Sequence, residues 1–278
     1  MISVLLALAG AVSYGVSDFI GGLASRRTSV WPVAVLSCTG SMLGALVLAL
    51  VVPGSPGRSD LAMGVLAGVG AGAGTAFLYR GLAGGRMGVV APVSGVGATV
   101  LPVLIGVAGG ERPSALVWLG MLAALPGIWL VSREAPTGST SGGASGLLEG
   151  VLAGVGFGVL FAALGQVPAD AGLWPLWVAE AASVVTTLVA ALALRGDPVP
   201  RSRVEWWGLP GGLLAAAAGL AFLVARHHGL LSVSAVLVSL YPAFTVLLAA
   251  LLLHERIHRA QGWGLALCAA AVVLVAAG

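Results

Sequence analysis

The sequence predicts an all-α membrane protein of ten transmembrane helices in two inverted five-helix repeats, and three observations predict it. Of 278 residues, 59% are hydrophobic and only 8% charged, too few polar side chains to cover a water-facing globule of that size. The apolar residues fall into ten runs, most near the roughly 20 residues that cross a hydrocarbon core about 30 Å thick as a helix. The second half also rewrites the first. Val89, Ala91, Leu104, Glu111 and Arg112 stand 144 residues before Val233, Ala235, Leu248, Glu255 and Arg256. Further out the spacing slips, to 145 between Ala76-Phe77-Leu78 and Ala221-Phe222-Leu223 and to 143 between Trp31-Pro32 and Trp174-Pro175.

The predicted spans, in order, are 4–23, 30–52, 61–83, 87–109 and 115–132, then 147–166, 173–194, 206–226, 231–253 and 260–277. The opening stretch lacks the basic region of a signal peptide and is expected to stay as the first helix. Pro32 and Pro175 sit in the first turn of their spans, where a missing N–H is harmless. Spans three and eight hold the densest Gly and Ala, small residues that let backbones approach closely in lipid. The glycine run of span three follows no strand and precedes no Gly-Lys-Ser/Thr, so it is not a phosphate loop. Pro92, Pro102 and Pro242 lie inside spans four and nine and are expected to kink them. Each of these two spans ends in Glu-Arg, at Glu111-Arg112 and Glu255-Arg256, read as structural charges that stop the helix and tie it to a neighbouring loop.

The division follows from the one Gly/Ser/Thr-rich stretch: residues 1–132 form the first repeat, 133–146 a linker and 147–278 the second repeat. Because each repeat holds an odd number of spans, the second enters from the opposite side of the membrane. Such an arrangement puts a substrate path between the halves near the bilayer midplane.

Composition also excludes. All 13 basic residues are Arg, so Schiff-base chemistry is ruled out, and a formal charge of +3 without a basic stripe gives no nucleic-acid signal. Cys38 and Cys268 read as buried small hydrophobes. His227, His228, His254 and His258 cluster at span ends without a third converging ligand, so no metal and no cofactor are expected. The tryptophans at span starts read as interfacial anchors.

Two acids fall inside spans, where a charge costs roughly 2.5–3.5 kcal/mol on insertion scales: Asp18 and Glu180. Counting along the helices sets Asp18 and Arg80 near one membrane face and Glu180 and Arg226 near the other. The acids come out about 12 Å apart in depth, and the expectation is two opposite gates, each an acid with its Arg. Tyr14 and Phe157, 143 residues apart, are candidate cavity residues, with Ser94, Trp177, Ser239, Tyr241 and Pro242. Asp60, Glu134, Glu149, Asp170, Asp197 and Glu205 read as solvated loop or edge residues.

At this point the chain resembles the EamA-type members of the drug/metabolite transporter superfamily. The resemblance is carried by Ser239-Leu240-Tyr241-Pro242, the apolar run after it, Glu255-Arg256, and Gly262 and Gly264. The first copy keeps Glu111-Arg112 and Gly120 but has Gly97-Ala98 in place of Tyr241-Pro242. What the resemblance implies is a secondary transporter, commonly an exporter, of small metabolites, amino acids or drug-like compounds across the cytoplasmic membrane by alternating access. Its cavity would be lined by spans one to four and six to nine. The expected partners are a small-molecule substrate and the lipid bilayer, with protons as a coupling ion to be considered and a monomer or homodimer as the assembly. No catalytic residue is implied. A membrane-embedded enzyme would need a nucleophile with its base, or a metal set, and a scaffold or receptor would need a sizeable soluble face; these are the alternatives. The Arg distribution, ten in loops after odd-numbered spans against three in the others, favours both termini outside. The resemblance implies both inside.

Overall fold

The computed structural model describes residues 1–25, 27–83, 87–132, 143–254 and 257–278, and among them it is helical, with no strand. In the first half α1 (Ile2–Ser25), α2 (Val30–Val51), α3 (Arg58–Ala83), α4 (Met87–Ala108) and α5 (Ala115–Val131) follow one another. The second half holds α6 (Gly143–Leu164), α7 (Trp174–Ala193), α8 (Gly208–His227), α9 (Leu231–Val238), α10 (Tyr241–Leu252) and α11 (Arg259–Ala277). Apolar runs of this length become helices because lipid offers the backbone no hydrogen-bond partner, and a helix satisfies it internally. Eight helical segments are long and apolar enough to cross a membrane, with Leu231–Leu252 counted as one; α5 and the described part of α4 are shorter apolar helices. The chain is built as an integral membrane protein.

One expectation needs correction. Span nine is two helices rather than one kinked helix. Pro242 has no N–H to offer the carbonyl of Val238, and the backbone tightens there, with Leu240 N–H donating to Leu237 O at 3.2 Å and Ala243 N–H to Leu240 O at 2.9 Å. Every residue of α9 is buried. By contrast, α4 continues through Pro102, and α5 carries an interior proline, Pro126, that the pattern did not single out. Helix α6 begins at Gly143, four residues before the predicted start of span six. Residues 133–142, Arg26, Arg86, Glu255 and Arg256 lie outside the described residues.

Most helices find their main partners in the other half. Helix α3 lies on α6 and α7, while α8 lies on α1 and α2; α4 packs on α6, α1 on α9 and α10, and α5 on α11. Glycines set two of these contacts. A Cβ on Gly64 would stand 2.5 Å from the Pro175 carbonyl oxygen, and one on Gly208 2.6 Å from that of Val33, so a side chain at either would force α3 from α7 or α8 from α2. One turn on, Gly68 and Gly212 press on the carbonyls of Ala179 and Ser37 in the same way. Gly64 and Gly68 precede Gly208 and Gly212 by 144 residues.

Charges bind helix ends. The Glu111 carboxylate accepts the N–H of Leu231, that of Ser232 at 3.0 Å and the Ser232 hydroxyl at 2.6 Å, so it caps the otherwise unpaired donors of α9. Arg226 donates to Gly165 O at 3.1 Å and Gly229 O at 3.3 Å, just past the ends of α6 and α8. Two edge acids are not merely solvated. Glu149 is buried and faces Arg80 at 3.6 Å, and buried Glu205 accepts the N–H groups of Arg201 and Ser202 ahead of α8.

Candidate functional site: an acid-bearing cavity between the halves

Among the described residues a cavity of about 110 Å³ lies between helices of both halves, lined from α1, α2, α3, α6, α7, α8 and α10. Helical spacing builds it. Tyr14 and Asp18 on α1, Ser37 and Ser41 on α2, and Thr75 and Tyr79 on α3 are each four apart, as are Phe157 and Phe161 on α6; Glu180 and Ser183 on α7 are three apart. Residues at those spacings share one helix face, so five helices turn a short polar or aromatic stripe inward. The Tyr14 ring stands edge-on to Phe161 and to Tyr241, both at 6.3 Å between centroids. Phe161 in turn packs on buried Phe222 at 4.9 Å. Tyr241 reaches the cavity because the break before α10 puts it on the first turn of that helix.

The lining also follows the sequence repeat. Tyr14 and Phe157, Ser17 and Leu160, Asp18 and Phe161, and Ser37 and Glu180 are all 143 residues apart, and every one of them lines the cavity. The two carboxylates are therefore not counterparts of each other. At that spacing Asp18 falls against Phe161, and Glu180 against Ser37.

Five of the eleven cavity or gate candidates meet here: Tyr14, Asp18, Phe157, Glu180 and Tyr241. Ser94 is buried beside Tyr241. Ser239 is buried in the break between α9 and α10, and Pro242 packs toward Gly95 of α4. Trp177 stacks edge-on with Trp174 at 5.7 Å near the start of α7. The expected gate pairs are not formed. Arg80 faces Glu149 and Arg226 holds helix-end carbonyls, while Asp18 and Glu180 share one cavity. Of the motif residues, Glu111 caps α9, and Arg112 is exposed in the turn after α4. Pattern reading missed Ser17, Ser37, Cys38, Ser41, Thr75, Tyr79 and Ser183. The signal for them was a hydroxyl or thiol one turn from another polar residue inside an apolar run.

Among the described lining residues there is no Arg or His. Ser41 and Ser183 stand beside the Glu180 carboxyl, and the buried Cys38 thiol lies 3.5 Å from the Thr187 hydroxyl. The arrangement supplies carboxyl groups, hydroxyls and aromatic faces to a small volume inside an apolar bundle.

Residues 144–277 match the model of the EamA-like transporter family. No curated protein sequence matches the chain. A solved crystal structure of a protein resembles it with a TM-score of 0.67 at 20% identity, over 98% of this chain and 96% of that one, which speaks to the fold alone. The second half of the chain thus matches the EamA-like transporter family, and the described residues fold into a helical bundle with eight segments long and apolar enough to cross a membrane.

Proposed function

We propose that the chain is a secondary transporter of small organic solutes across the cell membrane, working by alternating access, with export as the direction that the resemblance implies. The observation that carries this reading is the cavity itself: an acid-bearing, hydroxyl-lined space shared by both halves of an otherwise apolar bundle. An inverted pair of five-helix repeats, 1–132 and 147–278 about a linker, supports it further. Reciprocal packing of α3 on α7 and α8 on α2, through glycines 144 residues apart, is what two copies related by a pseudo-two-fold axis produce. In this reading Asp18 and Glu180 belong to one solute site, and both are titratable, as a proton-coupled cycle requires. A monomer contains the whole cavity, so neither a monomer nor a homodimer conflicts with it. Among the described lining residues there is no histidine, the commonest general base that the enzyme alternative would call for.

Reconstitution in liposomes tests the proposal, with exchange of labelled amines, amino acids and nucleosides followed for the wild type, Asp18→Asn and Glu180→Gln. Saturable exchange of at least one solute is expected, slowed about tenfold or more by either substitution at equal protein insertion. An undiminished rate in the doubly substituted protein would place the path elsewhere.

A further inference from the structure

The cavity's chemistry narrows its ligand. It holds two carboxylates and, among the described lining residues, no cationic side chain. A carboxyl group kept away from bulk water is stabilised either by a proton or by a counter-charge nearby. The described ion pairs are Arg80 with Glu149 and Arg201 with Asp197, neither of them at the cavity. Around the acids stand the rings of Tyr14, Tyr79, Tyr241, Phe157 and Phe161, whose faces attract a cation as well as apolar groups. A second observation sits beside the acids. Ser41, 2% exposed, lines the cavity next to the Glu180 carboxyl. A buried hydroxyl is ordinarily paired, and that carboxyl or a ligand group in the cavity can pair it.

Size and charge then select among solutes. About 110 Å³ is well below the roughly 300–1,000 Å³ of pockets for drug-sized ligands, so the ligand is compact. An α-amino acid would bring its own carboxylate against Asp18 and Glu180 with no guanidinium among the described lining residues to receive it, a like-charge contact that is unfavourable. We propose that the cavity binds a compact organic amine in its cationic form, the ammonium taken by the carboxylates of Asp18 and Glu180 and the apolar part laid against the aromatic rings. This rests on the carrier reading and names its substrate class.

Four solutes that share a branched four-carbon skeleton, or nearly so, and differ in charge test it: isobutylamine, isobutanol, isobutyrate and valine. Each is added to purified protein in detergent while the modification of Cys38 by methyl methanethiosulfonate is followed by mass spectrometry of its peptide, and the thermal unfolding temperature is recorded alongside. Isobutylamine is expected to slow Cys38 modification about fivefold at saturation and to raise the unfolding temperature, as a ligand of the folded state must. The other three should do neither. Asp18→Asn and Glu180→Gln should each raise the half-saturating amine concentration about tenfold or more, the scale of one charge-assisted hydrogen bond, and Asp18→Glu should restore most of the affinity. Equal protection by valine or isobutyrate overturns the proposal, and so does undiminished amine protection in the doubly neutralised protein. If a neutralised variant unfolds, the four-solute comparison on the wild type still decides. The two readings fail separately: liposome exchange of anionic or uncharged solutes without amine protection overturns the amine class and keeps the carrier. Amine protection without exchange of labelled isobutylamine keeps the site and overturns the carrier.

Discussion

At the scale of single residues, cost decided what was legible. An acid inside an apolar run stands out because burying charge in lipid is expensive, and both Asp18 and Glu180 reach the cavity. Hydroxyls do not stand out, since a helix can satisfy them on its own backbone, as Thr39 does with Val35 O at 2.7 Å and Thr186 with Ala182 O at 2.8 Å. The serines of the cavity were hidden by the same tolerance. Partners were illegible for a different reason. Counting residues from a helix end gives depth but not the direction a side chain takes around the helix, and α3 turns Arg80 toward α6, where it finds Glu149. Glu111 illustrates a residue whose structural part was foreseen but whose target was not. Its carboxylate caps α9, and Gly106 leaves room for it, since a Cβ there would lie 2.8 Å from the Glu111 carboxyl carbon. Glu111→Gln should lower stability by about 1–3 kcal/mol through loss of charged acceptors to the α9 donors. The measurement is the thermal unfolding temperature of purified protein; an unchanged value would show that the cap contributes nothing.

At the scale of elements, helix positions came out within about four residues because apolar length in a bilayer leaves the chain one choice. The break at Ser239-Leu240 was not read correctly. A proline signals a lost hydrogen bond, but whether the helix bends or parts depends on the tertiary packing around it, and α4 runs on through Pro102 while α9 and α10 part at Pro242. Glycine abundance was read as close packing without naming the positions. These are Gly64 and Gly68 on α3 and Gly208 and Gly212 on α8. Gly68→Ala and Gly212→Ala each push a Cβ into a backbone carbonyl of the facing helix and should destabilise by about 1–3 kcal/mol, as overpacking does. An alanine at Gly22 or Gly262, where a Cβ meets nothing within 4 Å, serves as the control. Equal stability of all four variants would mean that neither helix pair depends on its glycine contact.

At the scale of the molecule, the 144-residue spacing was legible in the sequence, whereas the uneven placing of charge in the cavity was not. Asp18 and Glu180 stand 143 residues from Phe161 and Ser37, which also line the cavity, so the sequence spacing carries no symmetry of charge. Orientation stayed divided in part because arginines counted as loop charges are engaged within the protein, Arg80 with Glu149 and Arg226 with helix-end carbonyls. The central claim is that this shared cavity opens to each side of the membrane in turn. Cys38 lines it, while the other cysteine, Cys268, is buried against α5. The most direct measurement is the labelling of Cys38 in a Cys268→Ser background by a membrane-impermeant methanethiosulfonate, applied to intact cells and to inverted membrane vesicles. The account predicts labelling from both sides, with transport lost in proportion. Labelling from one side alone, or transport that survives complete labelling, would contradict it.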